Sequence, residues 1–104
     1  MQTEHRRAPR HLLGGVVEVT DLESIKRILA VARNLSLFGC FVATAAPFAT
    51  GTKVRLRITH LGATFAALGR VAYASASEGM GIAFGEVEAR DRAILDTWLG
   101  KNEV

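Results

Sequence analysis

The sequence predicts a mainly β protein, a six-stranded antiparallel β-barrel that ends in one C-terminal α-helix. Three observations predict this class. Short runs rich in β-branched and aromatic residues recur at intervals of roughly 10 residues, separated by glycine-containing turns. Residues 52–59 alternate between polar and apolar side chains, as a half-buried strand requires. Residues 86–100 instead place apolar side chains at helical spacing.

The first three strands lie before Pro47. Val16 to Thr20 forms a β-branched run, and Asp21 to Ser24 reads as a turn. The apolar tract that follows, residues 24–36, fits a helix or a strand by periodicity alone. We favour a strand, because the turn would close a hairpin and Asn34 to Gly39 reads as a tight loop. Residues 40–44 then form a third strand.

The second half of the barrel gives clearer signals. In the strand at 52–59, the apolar face is expected inside and the cations on a solvated outer face. A turn at Leu61–Gly62, in which His60 is expected to be exposed, leads to a long strand at 63–75. A turn at 76–79 precedes a last strand at 80–84. The predicted inner residues of the strand at 52–59 are Val54, Leu56 and Ile58, and the outer cations are Lys53, Arg55 and Arg57.

The chain ends in a predicted amphipathic helix at about 88–99. Acidic residues precede and open it, and Gly100 and Lys101 close it, which suits the helix dipole and a glycine stop. We expect its apolar stripe to pack on the barrel, with Trp98 as a buried anchor. The stripe comprises Ala93, Ile94, Trp98 and Leu99.

Composition restricts the class of protein. The 104 residues suffice for one domain, and 49% hydrophobic with 22% charged residues is the balance of a globular chain. No apolar run approaches the ~20 residues of a membrane span, and no signal peptide is visible. We therefore expect a cytoplasmic protein without membrane insertion.

Positive charge is concentrated at the N-terminus. The net charge is +3, yet the stretch from His5 to His11 holds Arg6, Arg7 and Arg10 and no acid. We interpret residues 1–11 as a flexible arm and residues 12–100 as a single domain. Such an arm either keeps the protein soluble or binds an anionic partner.

The chain contains two short sequence motifs. Arg6 to Arg10 gives R-x-x-x-R, and Asn34 to Gly39 gives N-x-S-x-x-G between two strands. With six strands and a terminal helix, the sequence resembles the PilZ domain family, bacterial receptors for the second messenger cyclic di-GMP. The resemblance implies a PilZ-like barrel of the split-barrel type. It covers nearly the whole chain, from Arg6 to about Gly100.

The resemblance also implies roles for these residues. Arg6 and Arg10 would hold phosphate and guanine, with Arg7 assisting, because guanidinium pairs with phosphate oxygens and with guanine O6 and N7. Asn34 and Ser36 would bond to the guanine edge or phosphate, and Gly39 would allow a backbone bend. An N-x-S sequence also forms a simple turn, and the two interpretations are compatible.

Other sites are weakly indicated. Cys40 is the only cysteine and lies in an apolar run, so we expect a buried thiol. The three histidines show no metal-ligand spacing, and the sequence does not indicate a catalytic dyad of cysteine and histidine. Phe65 and Tyr73 are assigned to packing rather than to base stacking. We therefore expect a protein without cofactor or catalytic activity.

The leading hypothesis is a cyclic di-GMP receptor that orders its arm on binding and signals through an unidentified effector protein. The alternative is a PilZ-like interaction module that works without nucleotide, since His5, Asn34 and the arginine spacing depart from the commonest pattern. A third hypothesis, binding of single-stranded nucleic acid, is disfavoured because the cationic strand lacks interleaved aromatics; we expect no DNA or RNA partner. The sequence leaves homodimerisation open.

Overall fold

The structure, a computed structural model, describes residues 15–100. Six strands and one helix follow in order: β1 (Val16–Asp21), β2 (Arg27–Arg33), β3 (Gly39–Ala43), β4 (Lys53–His60), β5 (Ala63–Ser75), β6 (Gly79–Phe84) and α1 (Ala89–Trp98). The strands form a closed antiparallel barrel in the order β1-β2-β3-β6-β5-β4, and β4 pairs with β1 to close it. The predicted fold class is confirmed, and the ambiguous tract is a strand that pairs with β1.

The barrel interior is the apolar core. In β4, Val54, Leu56 and Ile58 are fully buried, whereas the cations between them are exposed, as the alternation predicts. The largest core side chain is Phe65 of β5. The other buried residues of the same core are Val17, Val19, Ala32, Leu35, Cys40, Val42, Phe48, Ala67, Val71, Met80, Ile82 and Leu95.

The helix packs on the barrel through most of the predicted face, but not through Ala93. Leu95 is its fully buried residue, Ile94, Trp98 and Leu99 are half-buried, and Ala93 is exposed. Two residues correspond to about 200° of rotation on a helix, so Ala93 lies opposite Leu95. The expected stripe was therefore wrong in including Ala93, and Trp98 is a partly covered neighbour rather than the anchor.

This helix covers an edge that β6 leaves open. β6 pairs with β5 only from Gly69 onward, so the first half of β5 has hydrogen-bonded strand partners on the β4 side alone. Asp91 of α1 accepts a hydrogen bond from the Ala66 backbone N–H at 2.9 Å. A side-chain carboxylate thus replaces the missing strand partner.

His60 does not lie in an exposed turn, which corrects the prediction. It is the last residue of β4, and its ring is half-buried. The rings of His60 and Trp98 meet edge-on with centroids 5.5 Å apart. The turn begins one residue later, at Leu61, so the helix end covers the histidine.

Candidate functional site

The N-x-S-x-x-G loop connects β2 to β3. Asn34 adopts a left-handed backbone conformation with φ of 52°, which asparagine tolerates better than most residues. The next side chain, Leu35, is fully buried. Leu35 therefore anchors the loop in the core, while Asn34 is exposed at the surface.

Ser36 closes the turn. Its hydroxyl oxygen accepts a hydrogen bond from the Phe38 N–H at 3.1 Å, and its own N–H donates to the Gly39 carbonyl at 2.9 Å. The turn interpretation of N-x-S is therefore correct for the serine. A hydroxyl oxygen has two lone pairs, so Ser36 can still accept a bond from a ligand.

Gly39 has a different structural role from the one expected. It starts β3 and pairs with Ala83 of β6, and its φ is not in the left-handed region. A side chain here would overlap the backbone carbonyl oxygen of Ile82. The glycine permits close approach of two strands rather than a bend, and the positive φ of the loop falls on Asn34.

These motif residues share one surface groove. Asn34, Ser36 and Gly39 all border a groove of about 220 Å³ on the outside of the barrel. Its floor is made of small residues of β3 and β6, and its other walls are aromatic. The remaining lining residues are Phe38, Cys40, Phe41, Ala72, Tyr73, Gly81, Ile82 and Ala83.

The aromatic part of the groove was missed by the sequence analysis. Phe65 does belong to the core, but Tyr73 is 56% exposed and Phe38 is 65% exposed. Tyr73 and Phe41 have ring centroids 6.3 Å apart and planes inclined by 26°. The sequence G-M-G, Gly79 to Gly81, indicates a strand that passes close to another backbone, but it does not reveal the aromatic partner.

The charge around the groove suits an anion. None of the described residues that line it is acidic. Arg33 is opposite the lining residue Phe41 in the β2–β3 pairing, and Arg70 is opposite the lining residue Ala83 in the β5–β6 pairing, so two lining residues have an arginine as cross-strand neighbour. A larger groove of about 490 Å³ beside α1 is lined by three carboxylates, Glu86, Glu88 and Asp91, and by one cation, Arg55, so its excess negative charge disfavours a phosphate.

Cys40 contributes backbone to the groove but no reactive thiol. The residue is buried, as predicted, and burial raises the pKa of its thiol to about 12. A thiol that stays protonated at neutral pH is a poor nucleophile and metal ligand. Among residues 15–100, no group of three or more His, Cys, Asp or Glu side chains is placed to hold a metal ion.

The chain enters the barrel beside this loop. The Gly15 carbonyl accepts a hydrogen bond from the Ala32 N–H at 3.1 Å, two residues before Asn34. Arg6, Arg7 and Arg10 lie outside the described residues. Arg10 precedes Gly15 by five residues in the sequence.

Fold and groove together define a small β-barrel domain with an open groove on its surface. A sequence model of the PilZ domain matches residues 4–101, and the chain therefore belongs to the PilZ domain family. This family comprises cyclic di-GMP receptors and adaptors, which are binding domains rather than enzymes.

A solved structure supports the same fold. The chain is similar to the Bacillus subtilis inhibitor of motility, MotI/DgrA, with a TM-score of 0.75 and 19% identity. The match covers 99% of this chain and 53% of that one, so the chain spans about half its length. Comparison with curated proteins finds no match. Within the described part, no helix is long and apolar enough to cross a bilayer.

Proposed function

We propose that this PilZ domain is a non-enzymatic receptor for cyclic di-GMP. One observation carries the proposal: among the described residues, Asn34, Ser36 and Gly39 border one outer groove that has no acidic lining residue. Gly15, which follows the arginine-bearing segment in the sequence, is hydrogen-bonded to Ala32, two residues before Asn34. The arrangement suits a ligand with two phosphodiester charges and two planar bases. The proposal locates the domain in the bacterial cytoplasm.

The barrel side of the site would recognise the base. The Asn34 amide offers an acceptor to the guanine N1–H and N2–H groups and a donor to O6 or phosphate. Ser36 offers its remaining lone pair, and its turn fixes the hydroxyl in place. Gly39 borders the same groove and holds β3 and β6 close together beneath the ligand.

The N-terminal segment would supply the charge. Arg6 and Arg10 would pair with phosphate oxygens and guanine O6 and N7, with Arg7 assisting. Binding would order this segment over the groove and change the surface of the domain. An effector protein, as yet unidentified, would recognise that new surface, because the proposed site contains no catalytic group.

Calorimetric titration of the full chain with cyclic di-GMP tests the proposal. Arg6→Ala/Arg10→Ala is expected to bind at least about 100-fold more weakly, since hydrogen bonds to charged groups contribute ~1.5–3 kcal/mol each. Asn34→Gly removes the amide and keeps the left-handed backbone, and should also weaken binding. A matched control, Arg90→Ala/Arg92→Ala, removes two exposed arginines of α1 and should bind as the parent does.

Cyclic di-AMP provides the ligand control, because adenine presents a donor where guanine presents O6. It should bind much more weakly than cyclic di-GMP. No heat with cyclic di-GMP, or equal affinity in the parent and the double arginine variant, would eliminate the receptor proposal.

A second candidate function is a protein-interaction module that works without nucleotide. Three apolar side chains favour it: Val16, Leu29 and Val31 are 55%, 73% and 41% exposed, and Val16 is directly opposite Val31 on the outer face of β1 and β2. Exposed apolar patches on small domains often mark interfaces. A purified effector should then bind equally with and without cyclic di-GMP, and Leu29→Asp should weaken that binding more than Leu61→Asp at the β4–β5 turn.

A further inference from the structure

Gly81 of β6 lies between two aromatic residues on the outer face of the barrel. Phe41 of β3 is its register partner on one side, and Tyr73 of β5 is its partner on the other. A Cβ at Gly81 would overlap the Tyr73 ring. The ring therefore lies over the glycine and leans toward Phe41, and it covers a backbone that would otherwise be exposed.

A bulge in β5 places Tyr73 on this face. Val71 is fully buried and pairs with Ile82, so strict alternation would direct Tyr73 into the barrel as well. The register shifts between Val71 and Tyr73, which leaves Ala72 as the extra residue and turns Tyr73 outward. Bulges commonly re-aim a side chain next to a functional site.

We propose that Tyr73, supported by Phe41, is a stacking platform for one guanine base of the ligand. This inference rests on the proposed function and adds to it a residue outside both motifs. Three observations carry it: Tyr73 is more than half exposed, it lines the same groove as Asn34 and Ser36, and Gly81, which has no side chain, leaves room for its ring on the barrel surface. A purine has a π face that stacks on an aromatic ring, whereas the motif side chains contact its edge.

The composition of the chain provides a direct probe, because Tyr73 is the only tyrosine and Trp98 the only tryptophan. In a Trp98→Phe background, tyrosine emission reports on Tyr73 alone. Addition of cyclic di-GMP should quench that emission along a curve that matches the calorimetric isotherm. Trp98 contacts His60 and Phe65 rather than the groove, so the background should keep the parent affinity.

Substitutions separate stacking from other roles. Tyr73→Ala should weaken binding on the order of tenfold, whereas Tyr73→Phe should stay within about twofold, because stacking needs the ring and not the hydroxyl. Gly81→Ala should displace the ring and weaken binding too. Leu68→Ala is the matched control: Leu68 is 51% exposed on the same strand and lies outside the groove. Thermal unfolding of each variant confirms that it is folded.

The outcomes are distinct. If the parent chain gives no heat, the proposed function fails and this inference fails with it. If the parent binds and Tyr73→Ala binds equally, or tyrosine emission is unchanged at saturation, the stacking inference alone is overturned. A Tyr73→Phe variant as weak as Tyr73→Ala also overturns it, because the hydroxyl would then be the contact.

Discussion

The motif glycine, Gly39, supports the barrel as well as bordering the site, and Gly39→Ala measures that structural role. A Cβ at this position would overlap the Ile82 carbonyl oxygen, which belongs to the backbone and cannot rotate away. To make room, β3 and β6 must separate where the Phe84 N–H donates to the Phe38 carbonyl at 2.8 Å. Overpacking of this kind costs about 2–3 kcal/mol.

A suitable assay is urea unfolding followed by the fluorescence of Trp98, which is half-buried against the barrel. The free energy of unfolding from the urea curve should fall by about 2–3 kcal/mol. If the same variant is unfolded by heat, this loss lowers the melting temperature of a domain of this size by about 10–20 °C. Gly85→Ala is the matched control, because the nearest atom to its Cβ, the Leu68 carbonyl oxygen, is at an ordinary 3.5 Å. That variant should be neutral or up to about 1 kcal/mol more stable.

Equal stability of the two alanine variants would refute the argument that the Ile82 carbonyl excludes a side chain at Gly39. A stable Gly39→Ala variant that fails to bind nucleotide would also be informative. It would show that the motif requires glycine for the ligand rather than for strand packing.

Two further predictions concern single side chains. The Cys40 thiol, with its pKa raised from 9.0 to about 12, should react with iodoacetamide at pH 8 at least about 100-fold more slowly in the native chain than in urea. Equal reaction rates in the native and unfolded chain would contradict the burial. Because the unfolded chain loses the thiol proton at lower pH, the thiol's contribution to stability is complete below about pH 9 and falls as pH rises toward 12. Asp91→Ala should cost about 1–2 kcal/mol in urea unfolding, since it leaves the Ala66 N–H without its partner. Asp91→Asn keeps an acceptor and should cost less, and Arg90→Ala on the same helix should cost little; equal losses in all three would show that the hydrogen bond is not responsible.

The fold was predictable where the signal is local. Each residue of β4 carries its own indication of inside or outside, so Val54, Leu56 and Ile58 could be placed without knowing their neighbours. The sequence of β2 fits a helix or a strand, so predicting a strand there required the further assumption that it forms a hairpin with β1. The helix face failed at Ala93 because a small apolar residue is compatible with either side of a helix, and only packing shows which.

The site was predictable only through its motifs. Asn34, Ser36 and Gly39 could be identified by their spacing, and they do meet at one groove. Tyr73 could not be identified, because its direction depends on a bulge whose only trace is a pairing register with β6. Such a register is a property of two strands, so neither strand's sequence reveals it alone.

The sequence of β6 explains why a groove exists at this place. Along Gly79–Phe84 the inward residues Met80 and Ile82 are large and fully or almost fully buried, whereas the outward residues Gly79, Gly81 and Ala83 are small. An ordinary barrel strand would place larger side chains on both faces, and the outer surface would be filled. Here the outer face of β6 lacks large side chains along the whole strand. Phe41 of β3 and Tyr73 of β5 lie on the neighbouring strands, one on each side. The alternation that builds the core thus also leaves an outer face of low bulk, on which the Tyr73 ring lies over Gly81 and next to Phe41. A binding surface of this kind needs no cavity in the core, so it carries no packing cost to the barrel.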